Sequence, residues 1–314
     1  MLETRYKKIV ILFKINSIKK AGKDYLKIEN TDHQSYAYIC LSDGGSLQEL
    51  VLHKKKIIQQ SATTSYTTSY ASAILFPFAN RIDKATYSFQ EKKYTLNVNL
   101  KEENNAIHGL VYNKKLTLKN KEITQQQASA TLVYSEEKKA QGFPFTYTIE
   151  LTYTLTKNAL LLKICITNND VVSFPFNVGW HPYFYSSNLY NSSLCIDSSH
   201  KILYPTNEMI PTKTKGTSTH KELQIKDRFF DDCYLLNTDK ITFKTPDYHI
   251  QINSSLEKNY VQIFTPSDRN SIAIEPITAP PNSFNYKLGL RILNPDEDYT
   301  ASWKVTLKST PYEN

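Results

Sequence analysis

The chain has 314 residues, long enough to bury a large core, and a formal net charge of +8 with its lysines dispersed. Tyr (22) and Phe (14) are frequent whereas Gly (8) is scarce, a composition that favours pleated strands. No run of basic and aromatic residues is typical of a nucleic-acid surface, so we expect no nucleic-acid partner.

The N-terminal segment contains an apolar run at 9–13 that is too short to cross a membrane and is followed by Lys14. No small-residue cleavage site follows it, so we predict no signal peptide. We therefore expect a cytoplasmic protein with no membrane partner. Residues 1–24 are treated as a potential N-terminal extension.

Alternation of apolar and polar residues predicts strands along most of the chain. The first strands fall within 25–60 around a turn at 43–45, and the other signals are a hairpin centred on 91–93 and strands in 147–166, 241–252, 260–264 and 299–307. The Ser/Thr/Tyr-rich stretch 61–72 is predicted to be an ordered loop. No capped helix of three turns and no linker is evident. We predict one all-β domain over 1–314, a large antiparallel β-sandwich.

The four cysteines show no spacing typical of a zinc site, and their disulfide state is left open. Cys165 lies within the apolar strand segment 161–166 and is predicted to be a buried free thiol. No glycine loop of the kind that binds phosphate is present. We expect neither a metal nor a cofactor. The cysteines are Cys40, Cys165, Cys195 and Cys233.

Two segments place polar side chains beside apolar or glycine residues. In Phe-Pro-Phe-Ala-Asn-Arg-Ile (76–82), Arg81 offers a planar fork of donors for hydroxyls or a carboxylate, although a surface arginine closing a loop is the simpler interpretation. In Asn-Ala-Ile-His-Gly-Leu (105–110), a glycine follows His108 and lets the backbone approach the ring or its ligand. Alone, such a histidine is more often structural.

Two further segments combine aromatic and ionisable residues. His181 is flanked by Trp180 and Tyr183, and aromatic walls suit the apolar faces of sugar rings; a hydrogen-bonded core histidine is the alternative. Asp231 and Asp232 follow two phenylalanines, so one carboxylate is expected to face a pocket and the other to point outward. A solvated turn is the competing interpretation.

The most informative segment is Ser-Ile-Ala-Ile-Glu-Pro-Ile-Thr-Ala-Pro-Pro-Asn (271–282). A strand here puts Ile272 and Ile274 on one face and Glu275 on the other. Pro276 predicts that the strand ends there or lies at a sheet edge. Glu275 can serve as a general base if an acid faces it, and His181 is the best candidate. The chain is therefore interpreted as an enzyme.

In this order, the five segments resemble the aldose 1-epimerase (galactose mutarotase) family, over residues from about 40 to 307 and most closely its bacterial epimerase-like branch. The resemblance implies a β-sandwich with a sugar cleft across one concave sheet. It implies that Glu275 is the general base and His181 the general acid in interconverting the α and β anomers of a free aldose. It also implies four substrate-binding residues, with Asp232 as the competing choice for the last: His108, Arg81, Asn80 and Asp231.

Three other functions stay open from the sequence. A hexose-6-phosphate epimerase would need several Arg or Lys residues that converge on a phosphate. A non-catalytic carbohydrate-binding protein could keep the fold. A glycoside hydrolase could use Asp231 and Glu275 as its two carboxylates. The identity of the sugar and the oligomeric state cannot be read from the sequence.

Overall fold

Extended backbone dominates the computed structural model, which describes residues 12–59, 64–203, 210–211, 222–256 and 259–308 and the backbone of 213–219. The two α-helices in these ranges have four residues each, α1 (Tyr66–Ser69) and α2 (Ser283–Tyr286). Single 3₁₀ turns occupy Asp83–Ala85, Lys101–Glu103 and Leu189–Asn191. No helix of the described part is long and apolar enough to cross a membrane.

The strands are, in chain order, β1 (Phe13–Lys20), β2 (Lys23–Asn30), β3 (Ser35–Cys40), β4 (Ser46–Leu52), β5 (Lys55–Gln59), β6 (Ile74–Leu75), β7 (Arg81–Ile82), β8 (Thr86–Phe89), β9 (Lys92–Thr95), β10 (Ala106–Ile107), β11 (Thr117–Ile123), β12 (Gln127–Glu136), β13 (Tyr147–Thr156), β14 (Ala159–Asn168), β15 (Phe174–Phe176), β16 (Gly179–Trp180), β17 (Tyr183–Tyr185), β18 (Ser193–Leu203), β19 (Lys213–Thr219), β20 (Glu222–Gln224), β21 (Asp231–Lys244), β22 (His249–Ser254), β23 (Asn259–Phe264), β24 (Ser271–Ile277), β25 (Arg291–Leu293) and β26 (Asp298–Lys308).

The first strands form an antiparallel meander from β1 to β5. The potential extension 1–24 contains β1, which pairs with β2 along its whole length, so from Phe13 onward this segment belongs to the sheet. Residues 1–11, including most of the apolar run at 9–13, lie outside the described residues. Residues 61–63 of the predicted loop also lie outside them, and the rest of that loop contains α1.

A second set of strands runs β11–β12–β13–β14–β26–β22. The long strand β21 joins the two sets, since its C-terminal half pairs with β22 and its N-terminal half with β23. From β23, pairing continues through β24 and β17 to β5 and thus to the first meander. The prediction of a large antiparallel all-β fold is confirmed.

The core lies between the two sets of strands. Every second residue of β13 is buried, from Tyr147 to Leu155, because successive side chains of a strand point to opposite faces. Across the core, the buried hydroxyl of Tyr153 donates to the carbonyl oxygen of Gly45 at 2.7 Å. Gly45 has φ +68°, and a Cβ there would lie only 2.8 Å from Leu151. The β3–β4 turn therefore packs directly on β13.

All four cysteines are free thiols. Cys40 and Cys233 are buried, whereas Cys195 and Cys165 are half-buried. The prediction of a buried thiol at Cys165 is therefore wrong in part. The residue lies between two buried isoleucines of β14 and points to the outer face of the sheet.

Candidate active site

Strand β24 holds Glu275 at the centre of a sheet. As predicted, Ile272 and Ile274 point into the core and Glu275 points to the opposite face. Glu275 is only 2% exposed. Gln262 lies directly opposite it on β23, and Cys233 lies opposite Gln262 on β21. These three side chains form one row across the face, because directly paired residues share a face.

The prediction that the strand ends at Pro276 or lies at an edge is wrong. Strand β24 continues to Ile277 and has β23 on one side and β16 and β17 on the other. The N–H groups of Ile274 and Thr278 donate to Pro182 and Val178 on the β16–β17 side. By alternation, the nitrogen of Pro276 faces the break between those strands, where no ladder partner is required.

His181 occupies that break, so its ring can approach the carboxylate. Its Nε2 lies 3.5 Å from Glu275 Oε1, and both side chains are buried. The backbone of His181 is held on both sides, since its N–H donates to Ala73 and its carbonyl oxygen accepts from Ser72. Its ring is stacked on Tyr183, with centroids 5.1 Å apart. Trp180, predicted to frame the histidine, packs in the core instead.

His108 completes a compact group of three ionisable side chains. Its ring lies edge-on to that of His181, with centroids 4.9 Å apart, and also contacts the ring of Tyr70, with centroids 4.8 Å apart. The pairing of β7 with β10 brings its segment to Asn80, whose carbonyl oxygen accepts from the His108 N–H at 3.1 Å. Gly109, at φ +75°, lies so close to the backbone of Phe76 that any Cβ would clash.

Arg81 is engaged by a carboxylate that the sequence did not predict. Its Nε and Nη2 donate to the two oxygens of Glu103 at 2.6 and 2.9 Å, a bidentate ion pair. Its Nη1 also donates to the side chain of Asn80 at 3.3 Å. Asn80 itself is buried. The fork of Arg81 is thus oriented at the rim of the group formed by His108, His181 and Glu275.

The choice between Asp231 and Asp232 follows from strand register. Asp231 is two residues from Cys233 and therefore lies on the face of Glu275, where it accepts from Gln262 Nε2 at 2.6 Å. Asp232 points to the other face and pairs with Lys201 at 2.6 Å. Of the two, Asp231 is the residue on the side of the site.

Burial dominates the electrostatics of the group. Desolvation raises the pKa of Glu275 well above its ordinary value, Asp231 adds to this and Arg81 opposes it. Desolvation lowers the pKa of His181 to about 4 and lowers that of His108 well below its ordinary value. It also raises the pKa of Asp231. The empty site therefore favours uncharged forms.

The same three residues have the chemistry of a metal site. His108, His181 and Glu275 each offer one ligand atom, and these atoms lie within 4.8 Å of one another. Two histidines and a glutamate are a donor set that suits Zn²⁺. The spacing of these residues in the sequence did not indicate a metal site, because they come from three distant segments. The expectation that no metal is bound stays a prediction.

Several residues of the site escaped prediction. Gln262 is a polar residue between the apolar residues Val261 and Ile263 of β23 and is buried, and this pattern was a signal that could have been used. Glu103, Tyr70 and Cys233 gave no comparable signal, because only the folded chain brings them to the site. Tyr183 was expected as a wall but not as the residue that stacks on His181.

The architecture is that of the galactose mutarotase-like proteins. A galactose mutarotase-like protein from Clostridium acetobutylicum superposes with a TM-score of 0.85 at 21% identity, covering 95% of this chain and 99% of that one. The galactose 1-epimerase of Lactobacillus acidophilus NCFM superposes with a TM-score of 0.78 at 14% identity, covering 94% and 99%. At these identities the likeness establishes the fold.

The sequence profile of the aldose 1-epimerase family matches residues 27–306, and the chain belongs to that family. Among its relatives is the uncharacterized protein YihR of Escherichia coli K12, 24% identical over 280 residues that cover 83% of this chain and 87% of YihR. The protein YphB of the same organism is 23% identical over 159 residues, about half of each chain.

Proposed function

We propose that this protein is an aldose 1-epimerase that interconverts the α and β anomers of a free aldose. The observation that carries the proposal is the buried pair of His181 Nε2 and Glu275 Oε1, 3.5 Å apart on the sheet face opposite Ile274, in a chain of this family. An acid and a base at this separation can act on the two oxygens bonded to one anomeric carbon.

In the proposed reaction Glu275 takes the proton of the C1 hydroxyl while protonated His181 gives one to the ring oxygen. The C1–O5 bond breaks as the C1 carbonyl forms, and the open chain rotates about C1–C2. O5 then attacks the other face of C1, and both protons return to where they started. Each residue contributes about 10²–10⁴-fold in rate.

The pKa directions set a condition on this cycle. Burial raises the pKa of Glu275 and lowers that of His181, so the empty site favours protonated Glu275 and neutral His181. Ring opening produces these uncharged forms, but it starts from ionised Glu275 and protonated His181. The proposal therefore requires that hydrogen bonds from the bound sugar help to hold the two charged forms.

Four further residues are proposed to bind the sugar. His108 faces the ring of His181. In the proposal it makes a hydrogen bond to the sugar near the ring oxygen and supports His181 as the acid. Asp231 lies on the face of Glu275 and Arg81 lies at the rim beside Asn80, which suits them to bind hydroxyls. Gln262 lies between Asp231 and Glu275, so Asp231 is better suited to binding than to pairing with Glu275 in hydrolysis.

A sugar phosphate fits this site less well than a neutral sugar. The guanidinium of Arg81 is already matched by the carboxylate of Glu103. Asp231 lies close enough to raise the pKa of Glu275. The rim therefore offers an anion little net positive charge among the described residues.

The test is polarimetry on freshly dissolved α-D-glucose and α-D-galactose with wild type, Glu275→Gln and the control Glu150→Gln. Glu150 is a half-buried carboxylate that pairs with Lys119 at 2.5 Å on another strand. We expect wild type and the control to accelerate the approach to anomeric equilibrium and Glu275→Gln to lose about 10²–10⁴-fold. Undiminished turnover in Glu275→Gln would refute the assignment. If no neutral sugar reacts, turnover of a hexose 6-phosphate would identify the phosphate epimerase, and binding without turnover would identify a carbohydrate-binding protein.

A further inference from the structure

We infer that the site continues into a second subsite that binds a neutral sugar ring linked to the reacting aldose, so that reducing disaccharides are preferred substrates. The inference rests on the proposed function. It is carried by a cavity of about 250 Å³ that shares Tyr183 with the candidate active site.

Strand register fixes where this cavity lies. Tyr183, Ala273 and Phe264 form a row across β17, β24 and β23, directly beside the row that contains Glu275. Ala273 and Glu275 are two residues apart on one strand, and therefore about 7 Å apart along the same face. That step is comparable with the span of one pyranose ring. A sugar with C1 at Glu275 can thus direct its far end toward Phe264.

The walls of the cavity have the composition of a carbohydrate site. Phe264 and the Tyr183 ring provide aromatic surface, and Ala71 and Pro266 add smaller apolar surface. Hydroxyl or amide groups come from Gln59, Thr68, Ser69 and Ser271. Tyr183 is held in position because its hydroxyl donates to the carbonyl oxygen of Ser69 at 3.2 Å. Its ring also stacks on that of His181, so one side chain contacts both subsites.

Charge and volume identify the occupant. The described lining residues include one acid, Asp268, and no Lys or Arg, which disfavours a phosphate or another anion. The neighbouring Arg269 is directed elsewhere, since its guanidinium donates to the backbone oxygens of Arg228 and Lys226. A volume of about 250 Å³ is at the small end for a ligand site, which suits a single sugar ring. A neutral sugar residue fits these limits.

The experiment compares kcat/KM for mutarotation of glucose with that of maltose, cellobiose, lactose and isomaltose, each dissolved as a single anomer. For at least one disaccharide we expect wild type to exceed its value for glucose by about tenfold or more. A side chain that fills the cavity is introduced by Thr68→Trp. Its control is Thr67→Trp, on an exposed neighbour in α1 that does not line the cavity.

We expect Thr68→Trp to lower the disaccharide-to-glucose ratio about tenfold and Thr67→Trp to leave this ratio unchanged. Calorimetry with Glu275→Gln should likewise find tighter binding of the disaccharide than of glucose. A wild type that turns over glucose as well as every disaccharide overturns the second subsite alone. A wild type that turns over hexose 6-phosphate better than all of them overturns the second subsite and also the preference for a neutral sugar. A wild type that accelerates no sugar overturns the proposed function as well.

Discussion

Glu275 brings a carboxylate into the interior with little compensation. One oxygen approaches His181 at 3.5 Å, and the other has no hydrogen-bond partner among the described residues. A buried charge without partners costs free energy, and the protein responds with a pKa of Glu275 well above the ordinary range. Sites that do chemistry often retain such costs, so the residue is expected to lower stability while it serves activity.

This cost can be measured as a pH-dependent stability. Since burial raises the folded-state pKa of Glu275, the folded state binds more protons than the unfolded state above pH ~4.3, and wild-type stability declines as pH rises from there. Glu275→Gln replaces this carboxyl group with an amide that does not titrate. We expect thermal unfolding to show Glu275→Gln more stable than wild type, by a margin larger at pH 8 than at pH 5. Glu150→Gln is the control, and a margin independent of pH would contradict the assigned pKa direction.

At the scale of elements, the site depends on loops held together across large sequence distances. The buried side chain of Asn177 accepts from the backbone N–H of Ala79 at 2.5 Å and donates to Ser283 Oγ at 2.6 Å. It thereby joins the loop before Arg81 to the start of α2. Asn282 adds a second connection, because its N–H donates to the Arg81 carbonyl oxygen at 2.8 Å.

Loss of the Asn177 side chain leaves a buried N–H unpaired. We expect Asn177→Ala to lower the free energy of unfolding by about 1–3 kcal/mol, measured by urea denaturation. Asn169→Ala is the matched control, since the Asn169 side chain makes one exposed hydrogen bond to Thr148 and should cost about 1 kcal/mol or less. Equal losses in both variants would show that Asn177 does not connect these loops.

The sequence predicted individual strands well because their signal is local. Alternation identified β13, β14 and β26, and it also placed Glu275 on the face opposite Ile274. It misjudged Pro276, because a proline is tolerated inside a sheet where the neighbouring strand is interrupted, and that interruption lies elsewhere in the chain. The partners Glu103 and Gln262 likewise depend on which strands become neighbours, which periodicity does not reveal.

At the scale of the whole molecule, β21 explains how one chain builds both the main core and the separate sheet face that carries the site. Its N-terminal half pairs with β23 and its C-terminal half with β22, so the strand belongs to both sets. Along its N-terminal half, side chains alternate between the site, where Asp231 and Cys233 lie, and the core, where Tyr234 packs. The site is thus supported on a rigid sheet, which suits chemistry that requires fixed positions.

The measurement that tests the central claim most directly is a double-mutant cycle of anomer interconversion with Glu275→Gln, His181→Asn and the double variant. If the two residues act as one acid–base unit, each single change lowers kcat by about 10²–10⁴-fold, and the double variant is no more than about tenfold slower than the slower single variant. Rates near wild type in either single variant, or losses that multiply in full in the double variant, would contradict the account.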